Sequence, residues 1–406
     1  MNNKYVILVS PSSNEIELVR RLGYKSILLK KEVLFDEIIN VDIPIEFNLN
    51  HEEEVLKKCV ELSNKYEIIS VFTLNEYRIP LASLISKTLG LKNTLSYDAA
   101  LVCRNKKLTR TKLDQLDIGR VKYTLLTETH EVEEGIKGFT FPLIVKPSND
   151  AGSRNVYLCN NMDEVTTAVT TIRSDKVNFI EQPIDEILVE EFIDGPEYSV
   201  ESYTLNGITK VIGITQKEVT PFPLAIEIGH NFPAKLSREV EEEIVKLVIK
   251  SLEAIGVDNA VTHAEVKYTK NGPRLIEVNA RPGGDQIPEL VLAVTGIDLR
   301  EIAFRISLGE DIGKVTKSDI VSTSASIRFL TADKAGEVYF NENINTTLIK
   351  KQEWFIENGQ QVEKTTNNYN RLGFYITHND EENSASEIAN IINEKLGVTI
   401  KDLIVK

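Results

Sequence analysis

Residues 263–285 contain two runs in which polar and apolar side chains alternate, separated by a short polar turn. A period of two predicts a β-hairpin, and Asn271 or Gly272 in the turn readily adopts the positive φ that it requires. A three-residue loop centred on Asn271 places Glu265 opposite Glu277, whereas a two-residue Asn-Gly loop would shift the pairing by one and need a bulge to restore it. The predicted hairpin therefore brings two carboxylates face to face.

Two glutamates directly across a β-ladder repel one another, so a purely structural hairpin should avoid them unless a cation lies between. The same register places His263 opposite Asn279 and puts Lys267 and Arg281 on that face. Carboxylate and amide oxygens are the ligands that a hard cation such as Mg²⁺ binds. The alternative is an exposed face on which the lysine and the arginine neutralise the carboxylates, and the hairpin alone leaves both interpretations open.

The order of these residues, a strand glutamate and then Glu-x-Asn-x-Arg twelve residues later, resembles the metal-binding hairpin of the ATP-grasp superfamily. The residues that carry the resemblance are Glu265, Glu277, Asn279 and Arg281. The resemblance implies that the first three hold Mg²⁺, or Mn²⁺, and that the arginine steadies the transferring phosphoryl group or an acylphosphate. The segment 295–299 also resembles the one that follows this hairpin in the superfamily.

Length and charge limit the classes of protein and partner. A chain of 406 residues is expected to divide into about two to four modules with separate cores. The formal net charge of −14 argues against nucleic acid and anionic membranes as main partners. Three cysteines, Cys59, Cys103 and Cys159, form no CxxC pair, and we find no targeting segment, so a reduced, cytoplasmic setting is expected.

The first 96 residues alternate short apolar runs with amphipathic stretches, which predicts a small doubly wound parallel sheet. The predicted strands are 5–9, 26–29, 38–43 and 68–74, and the predicted helices include 14–22 and 52–63. Glu76 follows the fourth strand, where open α/β sheets usually bind ligands. It is either an exposed glutamate at a helix start or, as a similar Asn-Glu segment of ATP-grasp amino-acid ligases implies, a substrate residue.

Three further segments resemble nucleotide-binding parts of the superfamily. In the helical stretch 97–120, Lys106 matches a lysine that contacts the α-phosphate, although Asn105 replaces the usual aspartate and Lys107 is an equally placed competitor. A strand that ends at Lys146 is followed by a small polar loop that includes Ser153. This loop predicts a flap whose backbone N–H groups close over phosphates, and the resemblance implies nucleotide contacts for both residues.

The third segment, 188–201, reads as two strands joined by a turn at Gly195-Pro196. By itself it predicts an acidic surface hairpin. An adenine site needs an apolar slot with a backbone donor and acceptor at its edge, and ribose hydroxyls need a carboxylate. The resemblance assigns these contacts to Glu190, Glu191, Ile193 and Glu197.

The segment Glu-x-Gly-His-x-x-Pro that includes His230 resembles the amino-acid-ligase branch, in which the histidine borders the phosphate and substrate pocket. A lone histidine is otherwise more often structural. The resemblance assigns catalytic roles to Arg281, His230 and Lys267. It assigns substrate contacts to Glu76, His230, Arg281 and Gly284.

The resemblance implies a three-domain ATP-grasp fold with α/β and α+β parts and an N-terminal doubly wound parallel sheet. We expect an N-terminal α/β domain at 1–96, a helical linker at 97–140, a small subdomain with flap and adenine hinge at 141–205, a large subdomain with the metal hairpin at 206–319, and a C-terminal lid at 320–406.

The implied activity is an ATP- and Mg²⁺-dependent ligase that activates an amino-acid carboxylate as an acylphosphate and joins it to an amine, releasing ADP and phosphate. The L-amino-acid (dipeptide) ligases are the most similar branch. Alternatives left open are a ligase that charges a carrier protein or a biosynthetic intermediate, a biotin-carboxylase-like enzyme, and a non-catalytic nucleotide-binding protein. Small-molecule substrates are the expected partners, and a homodimer is left open.

Overall fold

The fold begins with a parallel sheet whose strand order is β3-β2-β1-β4. The computed structural model describes residues 4–126, 132–150, 152, 154–184, 186–314, 319–341, 346–380 and 382–402. The strands are β1 Lys4–Val9, β2 Lys25–Lys30, β3 Ile43–Glu46 and β4 Glu67–Phe72, and the helices around them are α1 Ser13–Arg21, α2 Phe35–Ile38, α3 Glu52–Ser63 and α4 Ile79–Thr88. The predicted doubly wound parallel sheet is confirmed.

One predicted strand of this sheet, 38–43, is wrong. Ile38 ends helix α2, and strand β3 begins only at Ile43. Phe35, Ile38 and Ile39 follow the three-to-four spacing of a helix, and Asp42 then accepts a hydrogen bond from the backbone N–H of Ser26, which turns the chain into β3. The apolar run was therefore partly a helix face and only partly a strand.

Two helices, α5 Tyr97–Arg104 and α6 Lys106–Gln115, follow the parallel sheet. Asn105 separates them and caps α6, because its side-chain oxygen accepts hydrogen bonds from the backbone N–H groups of Lys107 and Leu108. The asparagine that replaces the usual aspartate thus performs a clear local function and fixes Lys106 at the start of the helix.

A small antiparallel sheet comes next, in the order β5-β8-β6-β7. Its strands are β5 Tyr123–Leu126, β6 Leu143–Pro147, β7 Tyr157–Cys159 and β8 Ile187–Glu191, with helices α7 Val132–Gly135 and α8 Met162–Ser174. Leu143, Val145 and Val189 pack against Val169 and Ile172 in a core of their own. The loop 148–156, the predicted flap, joins β6 to β7.

The largest sheet is antiparallel and runs in the order β13-β12-β9-β10-β11-β14-β18-β16. Its strands are β9 Glu197–Leu205, β10 Ile208–Val219, β11 Glu227–Phe232, β12 Ala260–Thr269, β13 Gly272–Asn279, β14 Ala325–Leu330, β16 Ile349–Trp354 and β18 Gly373–His378. Helices α9 Arg238–Ile255, α10 Ile287–Thr295 and α11 Leu299–Leu308 accompany it. Asp298 caps α11, because its side-chain oxygen accepts hydrogen bonds from the backbone N–H groups of Arg300 and Glu301.

The C-terminal region contributes strands β14, β16 and β18 to this same sheet. Its remaining elements are β15 Gly336–Tyr339, β17 Gln361–Val362, β19 Thr399–Lys401 and α12 Ala385–Leu396. Strand β9 also belongs to the large sheet, so the turn Gly195-Pro196 lies between the small and the large sheet. The five-part division of the chain stays a prediction. No described helix has both the length and the apolar character to cross a membrane.

The hairpin β12–β13 has the predicted pairing at its acidic end but not the predicted turn. Glu265 lies opposite Glu277, while Thr269 pairs with Gly272 across a two-residue turn. A register shift after Glu265 reconciles the two pairings, so the three-residue loop is wrong; the hairpin has the bulge of the alternative, but its two-residue turn is Lys270-Asn271 and not Asn-Gly. Alternation then points Val266 to the helices α5, α6 and α9 and leaves the carboxylates on the opposite face.

The turn between the two antiparallel sheets gives a stability prediction. Gly195 has φ of 146°, and a Cβ there would collide with the carbonyl oxygen of Tyr268. We expect Gly195→Ala to lower the free energy of unfolding by about 2 kcal/mol or more, because strain and backbone collision add. Gly207→Ala is the matched control, since Gly207 has φ of 73° with open space around it.

The control variant should lose only about 1 kcal/mol. Urea unfolding followed by circular dichroism measures both variants, and an equal loss would contradict the predicted collision.

Candidate active site

A cavity of about 330 Å³ lies between the loop 148–156, the small sheet, the large sheet and the turn before β18. Its volume suits a small-molecule ligand. The wall includes Lys106, Lys146, Asp150, Glu190, Glu191, Ile193, Glu197, Lys217, Glu227, Glu265, Lys267, Glu277, Asn279, Arg281, Gly284, Asp285, Tyr369 and Arg371. Most of the predicted site residues therefore meet in one place.

The two opposed carboxylates of the hairpin are each paired with a lysine. Glu265 Oε1 lies 2.6 Å from Lys217 Nζ, and Glu277 Oε2 lies 2.9 Å from Lys106 Nζ. The amide of Asn279 donates a hydrogen bond to Glu277 Oε1 at 2.8 Å. The cations that relieve the repulsion thus come from other elements of the fold.

Lys267 and Arg281, the neutralising partners of the alternative interpretation, pair elsewhere. Lys267 Nζ lies 3.8 Å from Glu197 Oε2, and Arg281 Nε lies 2.7 Å from Glu76 Oε2. The hairpin is therefore not an exposed face that neutralises itself.

Lys217 is a buried cation that three carboxylates share. Its Nζ lies 2.6 Å from Glu265, 3.1 Å from Glu197 and 3.2 Å from Glu227, and its side chain is only 2% exposed. Burial by itself would raise the pKa of Glu265, but the charge of Lys217 holds that pKa well below its usual range. This part of the site stays ionised at neutral pH.

His263 supports the same carboxylate from the side. Its Nδ1 lies 2.9 Å from Glu201 Oε1, and its Nε2 lies 3.4 Å from Glu265 Oε1. Burial alone would lower the pKa of His263, but the charges of Glu201 and Glu265 raise it to about 10. The imidazolium therefore adds a second positive charge next to the hairpin.

A second buried network surrounds Glu190. Its carboxylate lies 2.5 Å from Arg110 Nε and 2.6 Å from Lys146 Nζ. Burial raises the pKa of Glu190, but the charges of Arg110 and Lys146 outweigh that effect and lower it to about 2. Burial also lowers the pKa of Lys146. Arg110 reaches the hairpin as well, donating to the carbonyl oxygens of Leu275 and Ile276.

The remaining predicted nucleotide contacts fall on or near the cavity wall. Glu191 accepts a hydrogen bond from the backbone N–H of Lys122, whereas Ile193 is buried. Lys106 lines the cavity, while its competitor Lys107 pairs with Glu186 at 2.5 Å, and the phosphate contact of Lys106 stays a prediction. Ser153 lies outside the described residues.

His230 lies behind the cavity rather than on its wall. Its ring is fully buried, and Nε2 lies 3.3 Å from Glu227 Oε2 and 3.6 Å from Asp285 Oδ2. Burial would lower the pKa of His230, but Asp285 and Glu227 raise it above its ordinary value. Arg371 holds Asp285 from the other side through bonds of 2.6 and 2.8 Å. The catalytic assignment of His230 stays a prediction.

Several wall residues were missed from the sequence. Arg371 follows a polar run, 365–370, whose composition is typical of a loop, and Asn368 and Tyr369 of that run also line the cavity. Lys217 stands between two polar residues, Gln216 and Glu218, on strand β10, so its local sequence does not mark it as a site residue. Nothing local in the sequence distinguishes the others.

The composition of the site agrees with the comparisons with known proteins. A family model described as the ATP-grasp domain matches residues 139–289. These residues form an ATP-grasp domain. The match includes Lys146, Glu190, Lys217 and Glu265 and ends just beyond Asp285, whereas Lys106 and Arg110 precede it.

Named relatives extend the resemblance beyond the ATP-grasp domain. The alanine–anticapsin ligase of Bacillus amyloliquefaciens is 26% identical over 305 residues, 69% of this chain and 63% of that protein. Dapdiamide A synthase of Enterobacter agglomerans is 23% identical over 304 residues, 72% of this chain and 70% of that protein. The solved L-amino acid ligase from Bacillus licheniformis has a TM-score of 0.81 at 22% identity and covers 99% of this chain and 100% of its own.

The predicted ATP-grasp resemblance, the fold class and the ligase class are confirmed by these comparisons. The donor set of the ATP-grasp hairpin also fits a hard cation, since Glu265, Glu277 and Asn279 offer carboxylate and amide oxygens on the cavity wall. A softer metal would favour thiolate or imidazole ligands, which this group of three lacks.

The shared cation gives a prediction for stability. Lys217→Met leaves three carboxylates buried without their common partner, and we expect a loss of about 3–5 kcal/mol in the free energy of unfolding. Lys4→Met is the matched control, because its Nζ lies 3.8 Å from Glu67 and its side chain is 50% exposed. The control should change stability by less than about 0.5 kcal/mol. Urea unfolding measures the stability of both variants. A similar loss of unfolding free energy in the two would contradict the conclusion that the burial of Lys217 makes its ion pairs important for stability.

Proposed function

We propose that the protein is an ATP- and Mg²⁺-dependent ligase that activates an amino-acid carboxylate as an acylphosphate and joins it to an amine, releasing ADP and phosphate. One observation carries the proposal: the oxygen donors of the hairpin and the cations Lys106, Lys146, Lys217 and Arg281 line a single cavity. Oxygen ligands suit magnesium, and clustered cations suit phosphates, in a chain whose net charge is otherwise strongly negative.

Glu265, Glu277 and Asn279 would hold the magnesium ions, which when bound would neutralise charge on the phosphates. Lys106 and Lys146 would bind the nucleotide phosphates. Both lysines are paired with carboxylates in the structure, at 2.9 and 2.6 Å. An incoming phosphate would therefore compete for cations that are already oriented towards the cavity.

The adenine and ribose contacts are proposed for the neighbourhood of Ile193 and Glu197. Ile193 supplies buried apolar surface next to the turn between the sheets, and Glu197 supplies a carboxylate on the wall. Glu191 stands at the edge of the same region. Glu190 contributes through Lys146, because its own oxygens are engaged by Arg110 and that lysine.

The proposed reaction has two steps. A carboxylate oxygen of the donor amino acid attacks the γ-phosphorus, the bond to the bridging oxygen breaks, and ADP leaves. The nitrogen of the amine then attacks the carbonyl carbon, phosphate leaves, and the nitrogen loses a proton. Arg281 is positioned to stabilise negative charge on the phosphoryl and carbonyl oxygens in both steps.

The part of the cavity near Arg281 and Arg371 carries charges of both signs. Arg281 pairs with Glu76, and Arg371 pairs with Asp285, while Gly284 leaves open space beside them. An amino acid presents a carboxylate and an ammonium group, so paired anions and cations that can exchange partners suit it. The name of one relative, the alanine–anticapsin ligase, contains an amino acid and so agrees with this substrate class.

Lys267 remains a proposed catalytic residue, since it lines the cavity and only Glu197 pairs with it among the described residues. A carrier-bound substrate, a homodimer and a cytoplasmic location stay predictions. The three cysteines are free and buried, in keeping with a reduced environment.

Substitutions in the hairpin test the metal assignment. We expect Glu277→Gln and Asn279→Ala each to lower magnesium-dependent ATP turnover about a hundredfold or more, because each removes an oxygen that would bind the ion. Both variants should fold, since the glutamine relieves repulsion across the ladder. Glu353→Gln, an exposed strand glutamate outside the cavity, is the control. Turnover near the wild-type rate in either hairpin variant would remove the assignment.

A trapping experiment separates a ligase from a biotin-carboxylase-like enzyme. If an acylphosphate forms, ATP, one amino acid and hydroxylamine should give an aminoacyl hydroxamate, and bicarbonate should not replace the amino acid. Arg281→Met should lower kcat about a hundred- to a thousandfold with little change in ATP affinity. Arg300→Met is the matched control, since Arg300 forms a comparable pair with Glu289 at 3.0 Å.

The colour of the ferric hydroxamate complex and the release of ADP are the measurements. Absence of hydroxamate with every amino acid, together with ADP release that depends on bicarbonate, would overturn the proposed function.

A further inference from the structure

The loop 148–156 is held in place by groups from outside the small sheet. Tyr77 donates its phenolic hydrogen to Asp150 Oδ1 at 2.9 Å, and Lys106 Nζ donates to the carbonyl oxygen of Asp150 at 2.9 Å. Arg104 donates to the carbonyl oxygen of Asn149 at 2.7 Å. The parallel-sheet domain and the two helices after it therefore form hydrogen bonds with the loop that faces the cavity.

Tyr77 connects these hydrogen bonds to the part of the site near Glu76 and Arg281, where the substrate is proposed to bind. Tyr77 follows Glu76 in a single 3₁₀ turn, which Asn75 caps by accepting a hydrogen bond from the backbone N–H of Tyr77 at 3.0 Å. One rigid turn thus presents Glu76 to Arg281 and Tyr77 to the loop. Burial and the charge of Asp150 raise the pKa of Tyr77, so its phenol remains a hydrogen-bond donor at neutral pH.

Two more aromatic rings, Phe179 and Tyr369, extend the contact from Tyr77 to the cavity wall, which Tyr369 lines. Phe179 stacks on Tyr77 with ring centroids 6.0 Å apart and on Tyr369 with centroids 6.2 Å apart and planes 2° from parallel. The hydroxyl of Tyr369 packs over Gly152, where a Cβ would have no room. Phe179 and Tyr369 are 65% and 64% exposed, so their adjacent positions gain little from burial in a core.

We propose that Tyr77, Phe179 and Tyr369 form an aromatic clasp that holds Asn149, Asp150 and Gly152 of this loop over the nucleotide phosphates, with Tyr77 as a positioning residue. Tyr77 acts through Asp150, whose carbonyl oxygen fixes Lys106, and Lys106 in turn pairs with Glu277. That nucleotide phosphates lie beneath this loop rests on the proposed function. The clasp itself rests on contacts between regions that are distant in sequence.

In a ligase of the proposed kind, the clasp would protect the acylphosphate from water. An acylphosphate is hydrolysed if water reaches it, so the loop must remain closed until the amine has attacked. Because Glu76 and Tyr77 share one turn, a substrate that binds beside Glu76 also stabilises the turn that holds the loop. The clasp would thereby couple occupancy of the substrate site to exclusion of water.

Hydrogen exchange of the loop tests the clasp without any substrate. Tyr77→Phe keeps the ring under Arg104 and against Phe179 but removes the hydrogen bond to Asp150. We expect exchange of the peptide that carries Asn149 and Asp150 to accelerate about three- to tenfold, the effect of losing one buried hydrogen bond. Mass spectrometry of the full-length protein measures it.

The control is Tyr339→Phe, which removes a similar bond, from Tyr339 to Glu337 at 3.0 Å, in the C-terminal region. It should leave exchange in the loop unchanged. Asp150→Asn, which can still accept from Tyr77, should retain most of the protection that Asp150→Ala loses. Unchanged exchange in Tyr77→Phe, or an equal acceleration in Tyr339→Phe, would overturn the clasp.

Product coupling provides the second measurement. Tyr77→Phe and Phe179→Leu should increase the amount of ADP released per hydroxamate formed about threefold or more while their thermal midpoints stay close to that of the wild type. A lower rate with an unchanged ratio would indicate a purely structural role and would overturn the positioning role of Tyr77. If the wild type forms no hydroxamate, the proposed function fails, whereas the exchange result still decides the clasp.

Discussion

The arrangement of the site depends on electroneutrality around Lys217. Four strands of the large sheet meet here: β10 supplies the lysine, and β9, β11 and β12 supply Glu197, Glu227 and Glu265. Three carboxylates at this depth are tolerated only because a cation lies among them. The order of the central strands therefore determines which charges meet in the cavity, and it also determines which apolar side chains form the hydrophobic core behind it.

The same balance recurs throughout the site. Several charged groups proposed to touch a ligand already have a partner of opposite charge, as in the pairs Glu277–Lys106, Glu190–Lys146, Glu76–Arg281 and Asp285–Arg371. A phosphate, a metal ion or an amino acid would replace one partner rather than encounter a bare charge. This explains how a strongly acidic chain can provide a site for an anionic nucleotide without leaving charges unpaired between turnovers.

The sequence predicted those parts of the structure that local periodicity determines. The parallel sheet, helix α3 and the pairing of Glu265 with Glu277 follow from periods of two and 3.6 residues. The sequence does not decide whether the hairpin contains a bulge, because turns that differ by one residue fit the same pattern. Lys217 and Arg371 could not be assigned, since their partners lie far away along the chain and only the folded sheet brings them together.

The way the C-terminal region joins the large sheet limits how such proteins can be recombined. Strand β14 pairs directly with β11, setting Ile327 opposite His230, and β18 continues the ladder. A cut before residue 320 would leave an open row of backbone donors and acceptors along β11, which invites pairing with other chains. Chimaeras between related ligases would therefore have to carry β11, β14 and β18 from one parent, and domain shuffling at this junction would favour aggregation over a new specificity.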